Sequence, residues 1–274
     1  MNNIPRVTLR DGKSMPQLGL GVYAISDGDE VSKAVSFALQ EGYRSIDTAS
    51  VYGNEKGVGR GIRESGIPRK EIFLTTKVWN NEQGYESTLE AFQRSLERLR
   101  LDYVDLYLIH WAVEAKYRDT WRAMEKLQSD GLIRSIGVSN FQIRHLENLF
   151  QSSVTKPVLN QVELHPYLQQ YELQAFCSRH TIFLEAWAPL SRGRAFKEPL
   201  IVELAGKYGK TPAQIILRWE IQRGIITIPK SSNPARIQEN SDIFDFELGQ
   251  EEMEGMKKLD QHYRIGTDPD NMNF

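Results

Sequence analysis

The chain has 274 residues, of which 40% are hydrophobic and 26% are charged, and its formal net charge is -2 at pH 7. These values are typical of a folded globular protein and exclude the composition of a disordered chain. The near balance of acidic and basic residues gives no reason to expect nucleic acid or an anionic membrane as a partner.

The predicted elements begin with a hairpin, because Asp11-Gly12 is a strong turn signal between the alternating segments Arg6 to Arg10 and Lys13 to Pro16. Short, nearly continuous apolar runs then alternate with amphipathic stretches of helical length. Such runs are typical of strands that are buried on both faces of a sheet. The predicted strands are Leu18–Gly21, Ser45–Asp47, Ile72–Lys77, Val104–His110, Ile133–Ser139, Val158–Val162, Ile182–Ala186 and Ile225–Ile228.

Helices are predicted between most of these strands. They are Asp29–Gly42, Ser87–Leu99, Tyr117–Gly131, Ile143–Phe150, Tyr171–His180, Leu200–Tyr208 and Pro212–Arg223. Strand–helix alternation predicts an α/β fold with a parallel sheet and right-handed crossovers. Eight repeats favour a closed (β/α)8 TIM barrel, with the hairpin capping the barrel bottom, as one domain over residues 1–274. A doubly wound open sheet is the alternative.

The sequence gives little indication of a targeting segment or of disulfide bonds. The first residues contain no apolar segment of the kind found in signal peptides, and no apolar run reaches the ~18 residues of a membrane span. The one cysteine, Cys177, leaves no partner for an intrachain disulfide. We therefore expect a cytoplasmic location and no membrane partner.

Titratable side chains stand at the ends of three neighbouring predicted strands. Asp47, Lys77 and His110 end the second, third and fourth strands, and Tyr52 lies five residues after Asp47. Barrel chemistry occurs at the carboxyl ends of the strands. A strand-terminal lysine alone is commonly just a solvated end residue, and a lone histidine is commonly structural. The combination favours an active site.

The residue types suggest acid catalysis. An ion pair between Asp47 and Lys77 would place an ammonium group beside the Tyr52 hydroxyl and lower the tyrosine pKa. Tyr52 would then donate a proton to an alkoxide forming from a carbonyl, while His110 would donate a hydrogen bond to the same oxygen. A site of this kind requires a hydride donor, which indicates a nicotinamide cofactor. The sequence has no spacing typical of metal ligands, so no metal is expected.

Six short motifs match one family in composition and order. They are Asp47 to Glu55, Thr76 to Trp79, Leu108 to Trp111, Ile136 to Phe141, Asn160 to Glu163 and Ile228 to Ser231. Together they resemble the aldo-keto reductase family over essentially the whole chain. The length and the sequence Asp268 to Asn271 are similar to those of the compact bacterial members, which include 2,5-diketo-D-gluconate and methylglyoxal reductases.

The resemblance implies roles for individual residues. Tyr52 is implied to be the general acid of a tetrad with Asp47, Lys77 and His110, and Trp187 is implied to stack on the nicotinamide ring. Trp187 as an ordinary core aromatic is the alternative interpretation. The other residues implied to contact the cofactor are Gly21, Ser139, Asn140, Gln161, Leu190, Lys230, Ser231, Arg236, Glu239 and Asn240.

The basic segment after the last strand favours NADPH over NADH. Lys230, Ser231 and Arg236 resemble the residues with which the family binds the 2′-phosphate of NADPH. A phosphate-binding site after the last strands is common in such barrels. Arginine offers a planar fork to a phosphate, and lysine a point charge. A solvated basic patch is the alternative interpretation of Lys230 and Arg236.

Aromatic residues near the predicted rim indicate a site for small carbonyl compounds. Tyr23, Trp79 and Trp111, with His110, are expected to line it. Ala112 follows Trp111 where the family usually has proline, which loosens the backbone of this loop. The loop between Trp111 and Tyr117 is also short, so we expect an open site.

The predicted function is therefore NADPH-dependent reduction of small aldehydes, methylglyoxal-like dicarbonyls or sugar ketones by a monomer. The resemblance leaves two alternatives open. One is a nicotinamide-nucleotide-sensing regulatory module on the same barrel, and the other is a structural role of the kind that some lens proteins have.

Overall fold

The computed structural model describes residues 4–272 and contains one antiparallel hairpin and one parallel sheet. Its strands are β1 (Arg6–Thr8), β2 (Ser14–Pro16), β3 (Leu20–Gly21), β4 (Ser45–Asp47), β5 (Phe73–Val78), β6 (Val104–Ile109), β7 (Ile133–Ser139), β8 (Leu159–Glu163), β9 (Phe183–Trp187) and β10 (Ile226–Thr227). All eight predicted barrel strands are present. The first and last are shorter than predicted because they pair through only a few residues.

The helices lie between the strands and after the sheet. They are α1 (Asp29–Gln40), α2 (Glu55–Glu64), α3 (Tyr85–Leu99), α4 (Tyr117–Ser129), α5 (Ile143–Phe150), α6 (Tyr171–Arg179), α7 (Pro199–Tyr208), α8 (Pro212–Gln222), α9 (Pro234–Ser241) and α10 (Gln250–Lys257). Within residues 4–272, no helix is both long enough and apolar enough to cross a membrane.

The parallel sheet closes on itself. Neighbouring strands pair in chain order from β3 to β10, all in parallel. The segment around β3 then meets β10, since the Gly19 amide donates to the Thr227 carbonyl at 2.9 Å and the Thr227 amide donates to the Gln17 carbonyl at 2.9 Å. The predicted barrel is therefore confirmed, and the open doubly wound sheet is wrong.

The β1–β2 hairpin covers the amino-terminal end of the barrel, as predicted. Leu9 and Met15 are buried and cluster with Phe73 and Leu106 from inside the barrel. The Ser135 hydroxyl of β7 also donates to a side-chain oxygen of Asp11 in the turn, at 2.7 Å. The hairpin thus removes an apolar barrel floor from water.

Helix α2 was not predicted, because its sequence contains three glycines and glycine is a poor helix former. The structure shows why glycine is required there. A Cβ on Gly59 would lie 2.0 Å from the Leu99 carbonyl oxygen, and one on Gly61 would lie 2.5 Å from the Ser32 carbonyl oxygen. These glycines let α2 pack closely against α1 and the end of α3. The bounds of α9 and α10 are likewise not predicted by the sequence pattern.

Candidate active site

The barrel brings the predicted catalytic side chains to one rim. Asp47 is the last residue of β4, Lys77 is the last but one of β5, and His110 directly follows β6. Tyr52 ends a short 3-10 turn that leaves β4. Because β4, β5 and β6 are consecutive neighbours in the sheet, these residues converge as the sequence predicted.

A fully buried ion pair lies at the centre of this rim. The Lys77 ammonium donates to Asp47 Oδ1 at 2.6 Å, to the Thr48 carbonyl at 2.9 Å and to the Tyr52 hydroxyl at 3.3 Å. Burial alone would lower the pKa of Lys77, but Asp47 and Tyr52 together raise it above its ordinary value. Lys77 therefore carries a permanent positive charge, and each of its three N–H donors makes one of these hydrogen bonds.

The pKa of Tyr52 shifts in the opposite direction to that expected from its lysine neighbour. Burial raises this pKa, and the opposing effect of the Lys77 ammonium does not outweigh burial. The expectation of a lowered pKa is therefore wrong for this structure. Tyr52 keeps its proton at neutral pH, which is the state that a proton donor requires.

His110 is a neutral imidazole beside the Tyr52 ring. Burial and the Lys77 charge lower its pKa well below the ordinary value. Its ring centroid lies 5.8 Å from that of Tyr52 and 5.0 Å from that of Trp79. A neutral imidazole at this position carries one N–H donor and no charge.

Glu185 is a buried acid that sequence reasoning did not single out. The Gln161 side-chain amide donates to Asp47 Oδ2 at 2.8 Å and to Glu185 Oε2 at 2.7 Å, and so bridges the two carboxyl groups. Burial, with the nearby Asp47 carboxylate, raises the pKa of Glu185 to about 8. The available signal was a lone acid inside the apolar strand β9.

The predicted nicotinamide contacts lie on the next strands around the rim. The Trp187 indole N–H at the end of β9 donates to Asn140 Oδ1 at 2.8 Å. The Asn140 side-chain amide in turn donates to the His110 carbonyl at 3.0 Å, and the Ser139 hydroxyl donates to the Gln161 carbonyl at 2.9 Å. These bonds join Trp187 to the tetrad.

Gly21 and Leu190 lie on either side of this region, on β3 and after β9. The structure gives Gly21 a packing reason, because a Cβ there would lie 2.7 Å from the Ile228 carbonyl oxygen. Leu190 is half-buried and packs against the hydrophobic core.

The predicted phosphate-binding residues lie on the segment that leads into α9. Lys230 and Arg236 are exposed, whereas Ser231 is buried. Asn233 caps the helix, its side-chain oxygen accepting from the Arg236 amide at 3.2 Å. The positive end of the helix dipole therefore lies beside two cations.

The two residues that are predicted to contact the adenine, Glu239 and Asn240, differ in burial and in their hydrogen bonds. Glu239 accepts a hydrogen bond from the Thr211 hydroxyl at 2.9 Å, and Asn240 is buried. Glu239 thus already has one partner within the chain.

Aromatic residues lie near Tyr52 and His110 at this rim. Tyr23 is 61% exposed, and its ring centroid lies 5.1 Å from that of Tyr52. Trp79 is half-buried against His110, and Trp111 is buried, with its carbonyl accepting from the Gln83 side chain at 2.8 Å. The three predicted pocket aromatics are therefore at the same rim as the tetrad.

Comparison with known proteins gives a consistent result. The model of the aldo/keto reductase family matches residues 17–261. A glyoxal reductase of Bacillus subtilis is 54% identical over 98% of this chain and 97% of its own length. A 9,11-endoperoxide prostaglandin H2 reductase of Trypanosoma cruzi is also 54% identical, over 97% and 95%. A crystal structure of a Gox0644 variant in complex with NADPH superposes with a TM-score of 0.94 at 45% identity, over 98% of this chain and 99% of that one.

Proposed function

The chain belongs to the aldo/keto reductase family, and from that premise we propose that it reduces small aldehydes and ketones to alcohols with NADPH, with Tyr52 as the general acid. The observation that carries the proposal is the Tyr52 hydroxyl, 3.3 Å from a fully buried ammonium that is itself paired with Asp47. Burial keeps the phenol protonated, and the ammonium lies beside the oxygen on which the phenolate charge would develop.

NADPH fits the described residues. Trp187 is a half-buried ring at the rim, fixed by its bond to Asn140, and Lys230 and Arg236 are exposed cations beside the start of α9. These side chains, with Ser231, would hold the nicotinamide end and the 2′-phosphate. When bound, NADPH supplies the hydride that the carbonyl carbon receives.

The remaining chemistry belongs to the side chains of this chain. Tyr52 donates its proton to the carbonyl oxygen, and Lys77 stabilises the phenolate that remains. Asp47 keeps Lys77 oriented and balances its charge. His110, being neutral, donates a hydrogen bond to the carbonyl oxygen without competing as an acid.

The substrate is proposed to be a small carbonyl compound of the glyoxal or methylglyoxal type. Two relatives of equal identity carry the names of different substrates, glyoxal and a prostaglandin endoperoxide. Sequence similarity therefore does not decide the substrate. The Tyr23 ring beside Tyr52 and the Trp79 ring beside His110 favour a compact substrate over a polar polymer.

The direct test is Tyr52→Phe, which removes the acidic hydroxyl and keeps the ring. We expect kcat/KM for methylglyoxal with NADPH to fall by about 10²- to 10⁴-fold, while NADPH binding is retained. Tyr103→Phe is the matched control and should keep the activity, because Tyr103 directly precedes β6 at the opposite end of the barrel and the ring that contacts Arg69 and Arg134 is retained. Full activity of Tyr52→Phe would contradict the mechanism, and NADPH binding by the wild type without NADPH oxidation would favour a nucleotide-sensing module.

The phosphate site has its own test. Arg236→Ala should raise the Kd for NADPH by about 10- to 100-fold and leave the Kd for NADH nearly unchanged, since a charged hydrogen bond is worth about 1.5–3 kcal/mol. Isothermal titration with both nucleotides measures this difference. Arg122→Ala on α4 is the control, because Arg122 is an exposed arginine paired with Asp119. Equal loss of both nucleotides would show that Arg236 does not read the 2′-phosphate.

A further inference from the structure

The chain after α10 crosses the carboxyl end of the barrel, where it is held by a few specific bonds. The amides of Gln261 and Tyr263 both donate to the Tyr167 carbonyl at 3.0 Å. Further along, the Ile265 amide donates to Glu163 Oε1 at 2.5 Å and the Gly266 amide donates to Glu163 Oε2 at 3.1 Å. We call residues 263–268 the C-terminal clasp.

The position and charge of Glu163 suit it to bind the backbone amides of the clasp. It is the last residue of β8 and is 1% exposed, with its Oε1 atom 3.0 Å from His165 Nε2. Burial would raise the pKa of Glu163, but the bonds from His165 and from the clasp amides hold it below its ordinary value. The side chain is therefore a carboxylate whose hydrogen bonds are charge-assisted, which are roughly twice as strong as neutral ones.

The side-chain attachments of this region, apart from Glu163, are exposed. Arg194 donates to the Tyr263 hydroxyl at 2.8 Å on the surface, and Asp270 accepts from Arg144 at 2.8 Å, where both side chains are about half exposed. Exposed ion pairs contribute about 0–1 kcal/mol. The buried Glu163 carboxylate is consequently the main anchor of the clasp.

The clasp contacts the indole of Trp187 through Gly266. A Cβ on Gly266 would lie 2.4 Å from Trp187 Cη2 and 3.2 Å from Glu163 Oε2. The opposite edge of the indole is fixed by the bond from its N–H to Asn140. Trp187 is thus held between Asn140 on β7's carboxyl side and the backbone of the clasp.

We propose that Glu163 and Gly266 are positioning residues for the reduction: Glu163 closes the C-terminal clasp, and the clasp sets the tilt of the indole that supports the nicotinamide ring. This inference rests on the proposed function. A preorganised aromatic surface avoids the ordering cost of binding, so an intact clasp strengthens NADPH binding. Thermodynamic linkage then requires NADPH to stabilise the closed clasp by the same factor.

The sharpest test is Gly266→Ala, measured with two ligands by isothermal titration. The added methyl should weaken NADPH binding by about tenfold and leave 2′,5′-ADP, which lacks the nicotinamide, unchanged. Gly206→Ala in α7 is the matched control, because no heavy atom lies within 4 Å of a Cβ there. Unchanged NADPH binding, or equal weakening of both ligands, would overturn the proposal. If the wild type bound no NADPH, the proposed function would fail instead.

A double-mutant cycle separates indole contact from a general folding defect. Trp187→Phe removes the ring atom that the Gly266→Ala methyl meets. We expect Gly266→Ala to add less than a twofold loss of NADPH affinity in the Trp187→Phe background, against about tenfold in the wild type. Equal losses in both backgrounds would place the effect elsewhere and contradict the proposal.

Glu163→Gln tests the anchor independently, through trypsin cleavage after Arg264 inside the clasp. The variant should be cleaved several-fold faster than the wild type, because the charge-assisted bonds to Ile265 and Gly266 are weakened. Saturating NADPH should slow cleavage of the wild type, whereas 2′,5′-ADP should not. If NADPH leaves the cleavage rate unchanged, the clasp and the cofactor are not coupled and the proposal is wrong.

Discussion

The two ends of the barrel differ in the kind of side chain that they bury. At the carboxyl end, Asp47, Lys77 and Glu185 are buried, and each has a hydrogen-bond partner on another strand or loop. At the amino end, Leu9 and Met15 of the hairpin complete an apolar cluster. In such barrels, residues at the carboxyl end serve function and those at the amino end serve stability. The two ends should therefore respond differently to comparable changes.

Of the variants that test this difference between the two ends, Lys77→Met is expected to have the largest effect. The variant leaves Asp47 buried without its cation, which costs about 3–5 kcal/mol of unfolding free energy. Under the proposed mechanism it also removes the charge that stabilises the Tyr52 phenolate. Urea unfolding and kcat/KM for methylglyoxal measure the two effects separately. Adding Asp47→Asn should restore much of the stability but none of the activity. A double variant as unstable as the single one would show that charge pairing is not what stabilises this rim.

A substitution at the amino end should lower the stability of the fold without lowering the activity. Met15→Ala removes a fully buried side chain of the floor and should lower the unfolding free energy by about 2–5 kcal/mol. Below the unfolding transition, kcat/KM should stay within twofold of the wild type. Val154→Ala is the control, since Val154 is 92% exposed and should change neither quantity. A large loss of kcat/KM in Met15→Ala would mean that the two ends are coupled.

The positions of Asp47, Lys77 and His110 were predictable because they depend on local pattern and topology. A buried parallel strand is a continuous apolar run, so its carboxyl end is visible in the sequence, and a barrel brings all such ends to one rim. Helix α2 was missed because its glycines serve contacts with α1 and α3, which no local propensity reveals.

Other features depend on distant partners and on burial. The Glu163 carboxylate meets Ile265 across 102 residues of sequence, and Glu185 meets Gln161 across 24. The direction of the Tyr52 pKa shift was wrongly predicted because the lysine neighbour is visible in the sequence but the extent of burial is not. Charge neighbours can thus be inferred from motifs, whereas the competing desolvation requires the structure.

The smallest expected effect is a pH dependence that distinguishes two buried acids. Burial raises the pKa of Glu220 in α8 to about 8, and Glu220 Oε2 accepts from the Thr227 hydroxyl at 2.7 Å. Since the unfolded chain ionises near pH 4.5, the folded state binds more protons in between, and the unfolding free energy falls as the pH rises from about 5 to 8.

Glu220→Gln cannot ionise and should remove about 1–2 kcal/mol of the wild-type decrease between pH 6 and pH 8, while the pH profile of kcat/KM is unchanged. Glu185→Gln should flatten stability in the same direction but also shift that profile, because Glu185 shares the Gln161 amide with Asp47. Urea unfolding and initial rates across this pH range measure both. Identical activity profiles for the two variants would place Glu185, like Glu220, in the scaffold rather than in the catalytic network.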